Sequence, residues 1–340
     1  MKLKLIPDDT NIAFTKGRLM AFIFSAVLLA ASVALVAISG LNLGVDFKGG
    51  VTVEVSHTNP INIQSVREAV GGLGLGEPQV QEIDSLDGTR SGVVVTVQQQ
   101  DEEMAADLLT DTKTAVQATD DKAESVQFAA LGRVKAALQT LLGDGVVFER
   151  EEVVGPTVSG ELIRAGITAV ILAIGMMLIY IWLRFEWQFS VGAILALAHD
   201  VTLTLGVFSL TRIEFNLPII AALLTIVGYS MNDTVVVYDR VRENLRKYKK
   251  KPLSELLDLS INETLTRTVM TSVTTLLALI ALYVLGGEVL RGFTFAMIWG
   301  VVVGTYSSIF VASPLLLALG VKRDWSKASA EGGAPAPQTA

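Results

Sequence analysis

The chain has 340 residues and a formal net charge of −7; hydrophobic residues make up 51% of it and charged residues 18%. It contains no cysteine, which excludes disulfides, thiolate catalysis and cysteine-bound metal ions, and its two histidines, His57 and His199, form no metal-binding pattern. The mean hydropathy of +0.51 and recurring apolar runs of about 20 residues predict a polytopic membrane protein, because each run can cross ~30 Å of hydrocarbon.

The first predicted element is a membrane span at about residues 19–38. Its apolar length exceeds the ~7 to 15 residues of a signal-peptide core, so we expect an uncleaved anchor rather than a removed leader. Residues 1–39 then comprise a short N-terminal segment and the first span.

A segment with soluble character follows at 40–157. Hydrophobic periodicity predicts strands and helices in the order β-α-β-β-α-β, which is typical of a small α+β ferredoxin-like domain. The acidic stretch 98–124 contains few aromatic residues and is predicted to be a mobile loop or a further helix. The elements are expected at 51–55, 63–70, 80–83, 93–97, 128–142 and 146–154.

Five more spans are predicted within residues 158–320, which completes a six-helix transmembrane bundle. Seven basic residues between Arg240 and Lys251 predict that the loop after the fourth span, and with it both termini, is cytoplasmic. The domain at 40–157 would then be periplasmic. Residues 321–340 are predicted to be a disordered cytoplasmic tail. The five spans are expected at about 164–183, 189–210, 217–237, 266–285 and 293–319.

The uneven charge distribution indicates membrane orientation rather than a nucleic-acid-binding surface. Residues 46–152 are dominated by Asp and Glu, whereas the basic residues concentrate at 240–251. We therefore expect no nucleic-acid partner.

A carboxylate, Asp233, lies inside the fourth apolar run. A bare charge in hydrocarbon costs at least ~2.5 to 3.5 kcal/mol, so Asp233 must be paired, neutralised or hydrated. Arg267 in the fifth span is predicted at a similar depth, so the two side chains can pair across adjacent antiparallel helices. Proton affinity at Asp233 would then depend on the distance to the guanidinium, which predicts a proton carrier coupled to helix movement. A static lock between two helices is the alternative.

Other polar residues in the spans leave two interpretations open. A stripe of threonines on the fifth span can line a hydrated path or permit close packing, and beside Asp233 and Arg267 we favour the path. His199 and Asp200 can relay a proton or bond to neighbouring helices. We favour the second, because consecutive helical positions point ~100° apart and we expect that both side chains cannot face one seam. A small-residue stripe on the sixth span predicts close packing within the bundle, or contact with another subunit. The first stripe is Thr264, Thr268, Thr271 and Thr275, which Ser230 and Thr234 could extend; the second is Ala296, Gly300, Gly304 and Ser308.

Four motifs resemble the SecF family, the accessory subunits of the bacterial Sec export system within the RND superfamily. They are GVDFKGG at 44–50, VGPTVSGEL at 154–162, the block at 228–244 and RTVMTS at 267–272. The resemblance covers about residues 10–320. The residues that carry it are Asp46, Gly49, Gly50, Gly155, Pro156, Asn232, Asp233, Asp239, Arg240, Arg267 and Thr268.

The resemblance implies one half of an RND-type pseudo-symmetric pair in the bacterial inner membrane. The other half would be SecD, and the pair would act beside the SecYEG channel, using the proton motive force to help preproteins leave on the periplasmic side. Asp233 and Arg267 would carry the proton pathway, completed by a carboxylate from SecD, with Asn232, Thr268 and Asp200 as further candidates. No enzyme activity and no cofactor are expected.

Three other functions agree less well with the sequence. An RND-type exporter of small molecules usually carries twelve spans and two large external domains in one chain, whereas six spans and one small domain are predicted here. A non-transporting assembly scaffold would use Asp233 and Arg267 only as a lock. A membrane-embedded hydrolase lacks the expected motifs, and the glycine-rich run at 71–76 follows a predicted helix, so we interpret it as a loop.

Overall fold

The computed structural model describes residues 7, 10–84, 91–98 and 122–321. Within these ranges, six helices are long and apolar enough to cross a membrane. We call them spans one to six, and the last includes a π-helical turn at Ser308–Ala312. Spans one to five are Arg18–Ser39, Pro156–Arg184, Trp187–Thr211, Leu217–Lys247 and Leu253–Leu285, and span six runs through Glu288–Ser307, the π turn and Ser313–Ala318.

Spans four and five extend further than their apolar runs. Span four continues to Lys247 as one helix, and span five begins at Leu253 directly after Pro252. Proline also stands in the first turn of spans two and four, where its missing N–H has no helical partner to lose. The extra turns carry polar residues, so hydropathy alone placed these ends too far inside the helices.

The domain between spans one and two is a four-stranded antiparallel sheet in the order β2-β3-β1-β4, covered by two helices. This topology confirms the predicted ferredoxin-like fold. The strands are β1 (Gly50–His57), β2 (Gln79–Asp84), β3 (Ser91–Gln98) and β4 (Val147–Val154), and the helices are α1 (Ile63–Gly71) and α2 (Lys122–Leu142).

Alternating valines make one face of this sheet apolar. Val53 of β1 and Val95 of β3 are fully buried and pair across the ladder. Val66 of α1 and Leu138 of α2 pack in the same cluster and close the core. The prediction for 98–124 concerns residues that mostly lie outside the described ranges, as does the predicted tail at 321–340.

Spans three, four and six form the interior of the bundle. In each of these spans, 50–61% of the residues in the apolar 18-residue stretch are buried within the chain, against 11% in spans one, two and five. The outer three spans therefore present their apolar side chains to lipid or to another protein.

The small-residue stripe of span six faces span four, which confirms close packing within the chain. A Cβ at Gly300 would lie 2.3 Å from Cγ1 of Ile226, and one at Gly304 would lie 3.0 Å from Cβ of Ser230. The two helices can approach this closely only because both positions lack a side chain.

The segment before β1 joins the sheet domain to the start of span four. The Asp46 carboxylate accepts a hydrogen bond from the Leu217 N–H at 2.9 Å, which caps the helix. Gly49 and Gly50 have positive φ values of 73° and 132°, which let β1 begin directly after a single helical turn at Val45–Lys48. This part of the GVDFKGG motif thus fixes where the domain meets the bundle.

Candidate functional site

Asp233 lies where spans four, five and six meet. Its carboxylate is 8% exposed. The Thr268 hydroxyl of span five donates to Oδ1 at 2.6 Å, and the Ser308 hydroxyl of span six donates to Oδ2. One carboxyl group therefore holds three helices together through neutral donors.

The predicted direct pair between Asp233 and Arg267 is wrong for this structure. None of the ion pairs among the described residues joins them. Thr268 points at Asp233, and the preceding position on a helix points ~100° away. The Arg267 side chain is accordingly exposed and lines a cavity of about 1030 Å³, although it is close enough to attract the carboxylate electrostatically.

A second buried carboxylate, Asp200, lies on span three and is 0% exposed. Its Oδ2 accepts from the Ser230 hydroxyl of span four at 2.5 Å and from the Ser307 hydroxyl of span six at 2.7 Å. His199 Nδ1 lies 2.9 Å from its Oδ1. The expectation that His199 and Asp200 cannot face one seam is wrong, because the imidazole contacts the adjacent carboxylate. The expectation that this pair bonds to neighbouring helices is confirmed at Asp200.

The two carboxylates are bound by consecutive serines. Ser307 and Ser308 stand at the entry to the π turn, which ends just before Ser313 and Pro314. Proline has no N–H and clashes with the carbonyl four residues earlier in an α-helix, and a wider turn relieves that clash. The sequence analysis missed this turn, and Pro314 is the signal that could have indicated it.

The remaining threonines of the predicted hydrated stripe do not reach Asp233. Thr264 donates to the Ser260 carbonyl at 3.0 Å and Thr271 to the Thr268 carbonyl at 2.9 Å, so both serve their own helix. Asn232 is exposed on the outer side of span four. Of the predicted stripe, the structure brings only Thr268 to the carboxylate, while Ser230 joins the Asp200 cluster.

The other motif residues stabilise helix ends. The Arg184 guanidinium of span two donates to Asp239 at 3.0 Å, and Arg240 Nε donates to Glu263 of span five at 2.8 Å. Gly155 caps span two and Pro156 is its first residue. The two ion pairs connect spans two, four and five at the end of the bundle opposite the sheet domain, whereas Gly155 and Pro156 lie at the domain end.

An acidic group that the sequence analysis did not consider, Glu214, lies at the junction of domain and bundle. It lines a cavity of about 360 Å³ between the sheet and the ends of spans three to six. Burial raises the pKa of Glu214, and the nearby carboxylates of Asp46 and Glu152 raise it further. A Cβ at Gly44 would lie 2.3 Å from its Oε1, so glycine is what leaves room for this carboxyl group.

The two buried clusters offer carboxyl and hydroxyl groups. No cluster of histidine and acidic side chains that could hold a metal ion occurs in the described part of the chain. Two buried carboxylates with hydroxyl donors on neighbouring helices can each be ionised or neutral, and the hydrogen bonds differ between the two states.

Comparison with known proteins now decides the family. Residues 133–322 match the family described as "Protein export membrane protein SecD/SecF, C-terminal", and residues 34–56 match the "SecD/SecF GG Motif". The chain belongs to the SecF family. The predicted resemblance is confirmed, and both the GVDFKGG loop and the Asp233 cluster lie within the matched segments.

Several SecF relatives are similar over nearly the whole chain. "Protein translocase subunit SecF" of Cereibacter sphaeroides is 45% identical over 332 residues, which cover 98% of this chain and 97% of the relative. The protein of the same name from Vibrio alginolyticus is 40% identical over 321 residues, or 94% of each chain.

The fold is also similar to solved SecDF structures. The crystal structure of SecDF, a translocon-associated membrane protein from Thermus thermophilus, gives a TM-score of 0.76 at 34% identity. The match covers 93% of this chain but 40% of that one, so the SecF-family chain spans about two fifths of the longer protein. A six-span bundle of the RND-like kind with one small domain is therefore confirmed, and the relatives' names support a role in protein transport.

Proposed function

We propose that this SecF-family chain works in the bacterial inner membrane as the six-span half of a proton-driven export complex. The observation that carries the proposal is the Asp233 carboxylate, which is buried between three spans and bound by two neutral hydroxyl donors. An acid in that setting can exchange a proton and change how the helices are bound together. Both termini would lie in the cytoplasm and the sheet domain in the periplasm, in keeping with the basic residues at 240–251.

The energies of the site and of the proton gradient are comparable. A hydrogen bond to a charged group contributes ~1.5–3 kcal/mol, and the ionised Asp233 accepts one from Thr268 and one from Ser308. A charge that moves through ~100 mV releases ~2.3 kcal/mol. One proton therefore carries enough free energy to exchange one of these contacts, which would let span five or span six move relative to span four.

Span four provides a mechanical link to the sheet domain. Asp233 lies in the middle of this helix, and its first residue, Leu217, is capped by Asp46 of the GVDFKGG loop. The Gly44 N–H also donates to the Phe215 carbonyl at 2.9 Å. A displacement of span four would thus reach β1 through a short chain of hydrogen bonds.

The partner of this half would be SecD, with SecYEG and the translocating preprotein as further partners. The SecDF relative is longer than this chain, and the additional part of such a protein would supply the second half of the pair. Arg267 and Asn232 are exposed on the bundle, and Arg267 lines an open cavity. A carboxylate from the second half would face Arg267 there and complete the proton pathway.

The test is Asp233→Asn compared with Asp239→Asn on the same helix. Asp239 makes an exposed ion pair with Arg184, which contributes little. In membrane vesicles that contain the whole translocase, Asp233→Asn should abolish export driven by the proton motive force while Asp239→Asn retains it. Both variants should insert and bind the partner. Normal gradient-driven export in Asp233→Asn would instead support the static scaffold.

A further inference from the structure

We propose that His199 and Asp200 form a second proton-binding site, and that Ser307 and Ser308 couple its occupancy to that of Asp233 through the π turn of span six. This inference deepens the proposed function and rests on Asp233 being a proton site. It assigns a role to a buried pair that the mechanism above does not use.

The His199 and Asp200 pair has one open position. His199 is 2% exposed, and its Nε2 is buried with no hydrogen-bond partner in the described part of the chain. If Nδ1 donates to Asp200, then Nε2 is a bare acceptor; if Asp200 is protonated and donates to Nδ1, then Nε2–H is a bare donor. An unsatisfied buried polar atom is costly, so this position calls for a water molecule or for a proton.

In the described part of the chain, the ring contact and the interhelical hydrogen bonds of the pair come from spans four and six. From span six, the Tyr306 ring stacks on the imidazole with centroids 6.1 Å apart, and its hydroxyl lies 3.1 Å from the Ser25 hydroxyl of span one. Span four contributes the neutral Ser230. The carboxyl group connected to the pair through adjacent serines is Asp233.

Each serine has two possible acceptors for its single hydroxyl proton. Ser307 can donate to Asp200 at 2.7 Å or to the Gly304 carbonyl at 3.2 Å. Ser308 can donate to Asp233 or to the Thr305 carbonyl at 3.0 Å. An ionised carboxylate is the stronger acceptor. Once protonated, the carboxyl group donates instead, and the serine proton can turn to the carbonyl of its own helix.

The carbonyls concerned, those of Gly304 and Thr305, belong to the last α-helical turn before the π turn. Span six changes there from α to π geometry, and the Tyr238 hydroxyl of span four donates to the Ala312 carbonyl at 3.0 Å at the far end of the turn. A π turn is a local change of helical register, and such turns are frequent at functional sites. Because both serines act on neighbouring carbonyls of one turn, the ionisation of either aspartate changes the backbone that binds the other.

The test is infrared titration of the full-length chain in lipid nanodiscs, with the C=O band of each protonated buried carboxyl group followed against pH. Beside the band of Glu214, wild type should show one titrating band for Asp200 and one for Asp233, assigned by their loss in Asp200→Asn and in Asp233→Asn. The variant that lacks the acid with the lower midpoint should move the midpoint of the remaining band by on the order of one pH unit, a tenfold change in proton affinity, because the remaining acid then titrates beside a neutral group instead of a carboxylate. The other variant should leave the remaining midpoint nearly unchanged, because in wild type that acid already titrates beside a protonated partner.

Serine and histidine variants separate the parts of the inference. Ser307→Ala should reduce the displacement, whereas Ser230→Ala, which removes the other serine donor to Asp200 but lies outside the π turn, should leave it unchanged. His199→Gln should change the midpoint of the Asp200 band. An equal effect of the two serine variants would overturn the role of the π turn, and an unaffected Asp200 band in His199→Gln would remove the imidazole from the site.

If no wild-type band is lost in Asp200→Asn, or if the remaining band keeps its wild-type midpoint in both aspartate variants, the inference is overturned. If Asp200→Asn does not fold, the Asp200 band in Asp233→Asn and the Asp233 band in Ser307→Ala are compared with wild type, and two unchanged midpoints overturn the inference. The proposed function is tested separately by export. Normal gradient-driven export in Asp233→Asn, together with coupled Asp200 and Asp233 bands in wild type, would refute that function alone. Lost export in Asp233→Asn, together with the absence of a titrating Asp200 band, would refute this inference alone.

Discussion

The close approach of spans four and six positions Ser308 against Asp233, and Gly300→Ala tests it. The added Cβ would lie 2.3 Å from Cγ1 and 2.5 Å from Cδ1 of Ile226. Ile226 is 1% exposed and branched at Cβ, so it cannot turn away without displacing its neighbours. Overpacking of this kind costs about 1–3 kcal/mol, of which the better helix propensity of alanine offsets up to about 1 kcal/mol. We expect a net loss of about 1–2 kcal/mol in the free energy of unfolding.

The assay is equilibrium unfolding of the purified chain in mixed micelles, followed by circular dichroism. Gly228→Ala on span four is the matched control, because nothing lies within 4 Å of a Cβ at that position. In the Ile226→Ala background, Gly300→Ala should no longer destabilise, since the colliding carbons are gone. A Gly300→Ala loss no larger than that of Gly228→Ala, or one that persists in the Ile226→Ala background, would refute the packing argument.

Three other substitutions test single contacts. Thr268→Val removes a donor to Asp233 at similar volume and should slow gradient-driven export, whereas Thr271→Val, whose hydroxyl serves its own helix, should not; equal rates would contradict this. Burial raises the pKa of Glu214, so the folded protein holds this proton more tightly than the unfolded chain does. The contribution of Glu214 to the free energy of unfolding is therefore complete below the ordinary pKa of 4.5 and is lost as pH rises through the raised pKa. Glu214→Gln should flatten that pH dependence in thermal unfolding, and an unchanged profile would count against a buried acid. Asp46→Ala should cost about 1 kcal/mol of stability by uncapping span four, whereas Asp46→Asn, which keeps an acceptor, should cost less; equal losses would argue against the cap.

Local patterns in the sequence predict the spans and the sheet domain well. Each span is an apolar run of sufficient length, and the alternation around Val53 and Val95 matches the buried face of a two-sided sheet. Both signals depend on neighbouring residues in the chain, so neither needs knowledge of tertiary contacts. The helix ends were less accurate, because polar turns beyond the hydrocarbon carry no hydropathy signal.

The partners of the buried acids depend on helix rotation, which hydropathy does not determine. Arg267 and Thr268 are adjacent, and only the packing of span five decides which of them faces Asp233. A charged residue suggested an ion pair, whereas the structure uses a hydroxyl group. Ser308 was noted only as a small residue, although it is a donor to the same carboxylate.

Glu214 and the π turn show a second reason why local sequence patterns do not predict every feature of the site. Glu214 is partly buried, and Gly44, far away in sequence, leaves space for its carboxyl group. The π turn has a local signal in Pro314, but proline in a helix can also produce a kink or an end. The chemical role of such features can be inferred only from the tertiary structure.

The central claim is that Asp233 gains and loses a proton while export proceeds. The most direct measurement follows the C=O band of protonated Asp233 in translocating membrane vesicles, with and without an imposed proton gradient, and uses Asp233→Asn to assign the band. We expect the band amplitude to change when the gradient is applied and export to stop when Asp233→Asn removes the band. A band that stays constant while gradient-driven export continues would contradict it.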